Sequence, residues 1–407
     1  MTAPAGAVRT CIYSLEPGLG GVLAKVQAVA TLHARLGFEV SLVYTTPSRL
    51  PAGRRERLRY LLSARPRWEV NHGLHGFAIP AWPLPVWLTY ATPLVWAWPV
   101  MRRSDMHVVV SGSSHCGLPA ALSRKRYVVW IGTLYEQELA AKAEAGDRWA
   151  QRVLKSPGRR LLARQERLVF ERAALILANG PHAADSVRQA YPHVADRLQV
   201  LTYPVDPALF RPDPNARRRA SSPFLLFTGR INDPRKNVGM LIRAFVRVRA
   251  ARPDMNLVLA GEAPEAGVTR ALAETGLVDA VHFVGHQPVP ALVVLYQGAE
   301  LFVLPSLQEG LSISMLEALA CGLPVVATRC GGPESVLLEG VTGRLVANDA
   351  PDAMADAILE LLANPERTAA MRMRCVQFAA QNFARGRTDS GLLDAFRSVY
   401  PEHFTDR

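Results

Sequence analysis

The chain has 407 residues, enough for two domains that each bury a core of their own. Hydrophobic residues make up 49% and charged residues 20%, which excludes a disordered or low-complexity chain. Its 47 Lys+Arg outnumber 35 Asp+Glu for a formal charge of +12. Only Lys25, Lys125, Lys142, Lys155 and Lys236 are lysines, so an arginine-rich surface explains the balance as readily as an anionic partner does.

In chain order, short β-branched runs alternate with helical patterns, which predicts parallel α/β layers. The first half gives strands over 9–15, 39–44, 107–110, 127–131, 175–178 and 198–201; the second gives 224–228, 256–260, 281–284, 301–304 and 325–327. Between them, 202–223 carries five prolines and no periodicity, as a linker does. Helical patterns at 352–362 and 366–382 cover the second sheet, and a last one near 389–400 is placed to return to the first domain. The expected architecture is two doubly wound parallel sheets facing an interdomain cleft, with ligands at the strands' carboxyl ends.

After the first strand, Gly18, Gly20 and Gly21 lead into a helix. A tight turn accounts for them, and so does close approach to a ligand. They do not form the G-x-G-x-x-G fingerprint, which argues against a dehydrogenase. Residues 71–101 contain no Asp, Glu, Lys or Arg but four of the seven tryptophans, Trp82 and Trp87 among them. Five prolines argue against one continuous membrane helix. Arginine-rich sequence flanks the stretch at 54–68 and at Arg102-Arg103. Tryptophan beside clustered cations fits an anionic membrane interface or an acceptor-lining surface; a buried inter-helix segment is the other reading.

In the second half, Arg230 follows a strand and Lys236 precedes an amphipathic helix. A cation at each position suits a phosphate at the helix N-terminus, while two solvated cations are the plain alternative. Glu309-Gly310 then lies in a loop before a helix that carries Glu317, expected roughly two turns along. Two carboxylates there suit the hydroxyls of a hexose and a ribose; ordinary helix charges explain them too. The five cysteines are odd in number and form no C-x-x-C pair, so free thiols in a reducing compartment are expected, with no metal site. Met1–Val8 shows no leader pattern, and the expected location is the cytoplasm, peripheral on the inner face of the membrane.

These motifs in this order resemble the retaining glycosyltransferases of family 4, which have the GT-B fold. The resemblance rests on GRINDPRKN (229–237), LVLAGEAP (257–264), VHFVGH (281–286), EGLSISMLE (309–317) and ACGLPVVATRCGGPESVLLEGVTGRLV (320–346). The linker also resembles the family's N-G-V-D…F-x-P, with Tyr203-Pro204 in place of Asn-Gly. It implies an acceptor domain at 1–202, completed by a C-terminal helix at 386–407, and a donor domain at 203–385. Arg230 and Lys236 would hold the diphosphate of a nucleotide-sugar, a UDP or GDP derivative, and stabilise it as it leaves, with no metal or other cofactor. Glu309 and the amides of Gly310, Leu311 and Ser312 would bind sugar and phosphate, and Glu317 the ribose. Gly20, Gly21, Gly229 and Gly261 would let the backbone approach the donor, and His286 lies where the family meets the base. The family's N-terminal histidine falls nearest to His115, displaced by a few residues; Thr133 and Glu136 are further acceptor-side candidates beside Trp82 and Trp87.

The implied activity is retaining transfer of a sugar to an acceptor hydroxyl, of a glycan or a lipid-linked envelope precursor, in polysaccharide or glycolipid synthesis. A nucleotide-sugar epimerase or a phosphorylase of the same fold is the enzymatic alternative, and a non-catalytic glycan-binding scaffold the other. No aromatic-interleaved basic module points to nucleic acid.

Overall fold

The structure is a computed structural model that describes residues 7–16, 20–46, 53–82, 84, 86–219 and 221–404. Gly18 and residues 1–6 lie outside that set. The chain forms two compact units. One comprises Met1–Leu139, Arg152–Tyr203 and Thr388–Arg407, and the other Ala140–Gln151 with Pro204–Arg387.

The first unit holds β1 (Arg9–Leu15), β2 (Glu39–Thr46), β3 (Arg67–Asn71), β4 (Leu74–Pro80), β5 (Met106–Val110), β6 (Val128–Ile131), β7 (Leu175–Ala178) and β8 (Leu198–Val200). They form one sheet in the order β3-β4-β2-β1-β5-β6-β7-β8, parallel throughout except for the β3–β4 hairpin. β1, β5, β6 and β7 are apolar on both faces because helices cover both sides. The helix Arg385–Val399 supplies one such cover: Leu392, Phe396 and Val399 pack with Ile12, Val26 and Phe38. Tyr400 locks it, its hydroxyl accepting from the His107 amide at 3.0 Å and lying 2.6 Å from the Arg126 carbonyl.

The second unit holds β9 (Phe224–Thr228), β10 (Asn256–Ala260), β11 (Val281–Gly285), β12 (Leu301–Leu304), β13 (Val325–Thr328) and β14 (Gly343–Val346), all parallel, in the order β11-β10-β9-β12-β13-β14. The chain order therefore reverses between β9 and β12, and in the first sheet between β1 and β5. Loops that diverge from neighbouring strand ends leave a crevice at each switch point, and this is where such sheets bind ligands.

The charge-free stretch resolves into three pieces. β3 and β4 meet at His72-Gly73, both with positive φ (48° and 80°), the turn that matches strand twist in a two-residue hairpin. β4 then runs beside β2 with Ala78 and Ile79 in the core. Two short helices, Val86–Thr89 and Pro93–Arg102, follow. The second buries Pro93, Ala97 and Met101 and exposes Val95 (74%), Trp98 (45%), Pro99 and Arg102, a stripe at helical spacing. One face of this helix is therefore buried in the core and another is exposed. Among the described residues no helix is long and apolar enough to cross a membrane.

Lys25 is buried in the first unit with no carboxylate among its recorded contacts. Its amine donates to the Trp130 carbonyl at 2.9 Å and lies over the Trp130 and Tyr203 rings. Burial pulls the amine down to about 7 from its ordinary 10.5. Between those values the unfolded chain holds a proton that the folded chain has lost, so folding stability rises with pH across that window. Urea unfolding of the wild type and Lys25→Met at pH 7, 8 and 9 should show the wild type gaining on the variant by on the order of 1 kcal/mol per pH unit. Parallel profiles would contradict an uncompensated buried lysine.

Candidate active site

The second unit places its motif residues on loops at the switch point. β9 ends at Thr228, and Gly229 (φ 154°) turns the chain out to Arg230. Asp233 then caps a 3-10 turn, Pro234–Lys236, accepting from the Arg235 amide at 3.1 Å. Asn237, in the left-handed region at φ 48°, redirects the chain into the helix Val238–Ala251. This two-step exit puts Arg230 and Lys236 on opposite ends of one short loop.

The loop after β12 runs alongside. The Leu307 amide donates to the Arg235 carbonyl at 2.7 Å. Glu309 receives the Lys236 amine and, at 2.8 Å, the Ser306 hydroxyl. Its backbone is fixed by Cys330 and Gly332, so its carboxylate is aimed by three strands' worth of loop. Ser312 caps the helix Ile313–Ala320, its hydroxyl accepting from the Met315 amide at 3.4 Å. Glu317 stands just over one turn into that helix and not two, because residues 309–312 are extended loop. Its Oε2 accepts from Tyr296, whose hydroxyl also meets Thr228 at 2.8 Å. Burial raises the Glu317 carboxyl to about 7, against the opposing pull of Tyr296.

Glycines let these loops touch. A Cβ at residue 261 would fall far inside contact distance of the Gly229 carbonyl oxygen, and one at 332 would meet the Gly310 oxygen at 2.8 Å. Asn232 stitches the same loops, taking the Glu262 carboxylate on its amide at 2.8 Å and accepting from the Glu265 amide at 2.8 Å. His286 sits exposed immediately after β11.

Sequence reasoning passed over Asp233 and Arg235. Both are buried: Arg235 forks onto Asp233 (Nη2–Oδ2 2.8 Å, Nε–Oδ1 3.2 Å), and Asp233 also holds Arg230 at 2.7 Å. Burial would raise the Asp233 carboxyl, but Arg235 and Arg230 outweigh it and hold the group at about 2. The signal was present in Asp233-Pro234, an N-cap followed by proline at the first helical position.

In the first unit, Gly20 (φ 101°) precedes the helix Gly21–Arg35 at the end of β1. A Cβ at residue 21 would meet the Tyr203 hydroxyl at 2.8 Å, so Gly21 makes room for Tyr203. His115 corrects an expectation. It is fully buried: Nε2 donates to the Leu162 carbonyl at 2.9 Å, and Nδ1 accepts from Ser113 at 3.1 Å. Tyr90 stacks on the ring, Tyr135 meets it edge-on, and burial lowers it to about 4. The 3-10 turn Ser114–Gly117 rolls the ring inward, so it is a neutral core histidine with no nitrogen left for a substrate. Glu136 pairs with Arg159 on the surface (Nε–Oε1 2.9 Å). Thr133 lies in the loop after β6, and Trp82 is partly buried after β4. Trp87, partly buried, lies against Gly158 of a helix in its own unit.

The family described as "Glycosyl transferases group 1" matches residues 222–364, and that described as "Glycosyltransferase Family 4" matches 19–209. A D-inositol 3-phosphate glycosyltransferase of Acidothermus cellulolyticus is 30% identical over 411 residues, 95% of this chain and 87% of the relative. The chain belongs to the family 4, group 1 glycosyltransferases. The namesake from Segniliparus rotundus is 34% identical over 235 residues, a match covering 55% of this chain and 52% of that relative's length. Sucrose-phosphate synthase from Thermosynechococcus elongatus superimposes with a TM-score of 0.75 at 19% identity, covering 97% of this chain and all of that one. Anabaena Alr3699/HepE in complex with UDP and glucose gives 0.71 at 16% identity, covering 96% of this chain and 100% of the other. At such identities the likeness is one of fold: two parallel-sheet α/β units, as in GT-B glycosyltransferases.

Proposed function

We propose that the chain moves a sugar, with retention, from a nucleoside diphosphate to an acceptor hydroxyl, with the donor held by the second unit and the acceptor by the first. One observation carries the reading: Lys236 and Glu309 meet from two touching loops at the β9/β12 switch point, and Arg230 stands on the same loop as Lys236. There the two cations would grip the diphosphate. Their charge is in place before the C1–O bond breaks, so it stabilises the leaving group without reorganisation. Glu309, freed from Lys236, would take sugar hydroxyls, and the amides of Gly310, Leu311 and Ser312, leading into the helix Ile313–Ala320, a phosphate oxygen. Ionised Glu317 would accept from the ribose. The acceptor oxygen attacks C1 from the face the diphosphate leaves, so no enzyme nucleophile is assigned. UDP in the Anabaena neighbour supports a nucleoside diphosphate, while base and sugar stay open between UDP and GDP derivatives.

Calorimetric titration with UDP, GDP and their sugars tests this. Arg230→Ala and Lys236→Ala should each weaken the best ligand by about tenfold or more, as loss of a charge-assisted phosphate contact does. Unchanged affinity in both would defeat the donor site.

The acceptor is proposed to be lipid-linked or an envelope glycan reached at an anionic membrane. The supporting surface is the stripe Val95, Trp98, Pro99 and Arg102 with Arg103, all exposed on the first unit. Trp87 anchors the neighbouring short helix to the helix Gly158–Arg172, whose Arg160 and Arg164 are also exposed. The chain should float with vesicles containing anionic phospholipid at low salt, and Val95→Asp/Trp98→Asp should lose most of that binding. Absence of wild-type flotation would remove the membrane from the proposal.

A further inference from the structure

The two cations assigned to the diphosphate already hold carboxylates: Lys236 holds Glu309, and Arg230 holds Asp233. Asp233 differs from Glu309 in having a second, buried cationic partner. Its side chain is 6% exposed and that of Arg235 8%, whereas Arg230 is 60% exposed and reaches Asp233 from the solvent side. Arg235 is spent internally: Nε and Nη2 go to Asp233, and Nη1 to Gln308 Oε1 at 3.1 Å. Its carbonyl takes the Leu307 amide, so the same residue joins the loop that bears Arg230 to the loop that bears Glu309.

We propose that Asp233 is the resident counter-ion of Arg230 while the donor site is empty, and that Arg235 is a positioning residue that shares Asp233's charge so that a diphosphate can take Arg230 over. With Arg235 present, one carboxylate serves two guanidiniums and the trio carries a net positive charge toward the ligand. Without Arg235, Asp233 and Arg230 would neutralise each other, and a diphosphate would have to compete with an undivided carboxylate. The inference rests on reading Arg230 as a diphosphate ligand.

The test is a double-mutant cycle read by titration with UDP and GDP. Asp233→Asn, which keeps the cap's shape, should bind the nucleotide several-fold more tightly than wild type. Arg235→Met should bind it more weakly by about tenfold, the size of one close charge pair. Asp233→Asn/Arg235→Met should return to within about threefold of wild type. These opposite signs and the rescue separate charge-sharing from a merely structural role, in which Asp233→Asn also weakens binding and the double variant is no better than Arg235→Met; that outcome overturns the proposal. If Arg235→Met does not fold, Asp233→Asn alone decides: equal or weaker binding overturns it. Arg230→Ala, run in parallel, distinguishes the two levels. If it binds as wild type, the reading of Arg230 as a diphosphate ligand fails, and the donor site as a whole fails if Lys236→Ala is unchanged too; if Arg230→Ala weakens while the other variants do not diverge in sign, only this inference fails.

Discussion

The Gly229 carbonyl oxygen occupies the place where any side chain at residue 261 would have to begin. The loop after β10 can therefore rest on the loop after β9 only as bare backbone. Gly332 against Gly310 repeats the device on the other side of the switch point. The first contact pairs the loops after β9 and β10, and the second those after β12 and β13, at the carboxyl edge of the second sheet. The Leu307 amide, bonded to the Arg235 carbonyl, joins the two pairs and brings Lys236 within reach of Glu309, seventy-three residues further along the chain. Everything assigned to the donor depends on that backbone closeness, because cations on splayed loops would be solvated singly and grip nothing in common.

Once the loops touch, electrostatics shapes what they present. Asp233 stays ionised because two guanidiniums outweigh its burial, and Glu317 is pushed the other way because only a tyrosine hydroxyl offsets its own. The site thus contains two carboxylates paired with cations, Asp233 and Glu309, and a third, Glu317, whose burial favours its neutral form. The many remaining arginines belong to a different category. Arg243, Arg247 and Arg252 sit in exposed pairs with Asp349, Asp352, Asp356 and Asp254, and such pairs contribute little. These pairs are ordinary surface and add nothing to the formal +12.

Periodicity made most of the sheet readable. β1, β7, β9, β10 and β12 begin and end where their β-branched runs do, since a strand buried on both faces is written as an unbroken apolar run. β3, β4 and β14 escaped for the complementary reason. β3 is an edge strand carrying Arg67 and Glu69, β14 is Gly-Arg-Leu-Val, and β4 lies inside a glycine- and proline-bearing stretch that read as one feature. The hairpin signal was only two residues long, His72-Gly73. In the site, motif spacing pointed to Arg230, Lys236 and Glu309, residues whose types advertise phosphate and sugar chemistry. Burial has no such signature: Asp233 and Arg235 look like two more solvent-facing charges, and His115 looks like a free imidazole, until packing shows all three enclosed.

The central claim is that the loops at 229–237 and 306–312 receive a nucleoside diphosphate. Amide hydrogen exchange on the wild-type chain, with and without saturating UDP or GDP, tests it most directly, since it reports where binding suppresses local opening. The account predicts slowed exchange concentrated in those two loops and in the first turn of the helix Ile313–Ala320. Saturation with protection confined to other segments, or with none in either loop, would contradict it.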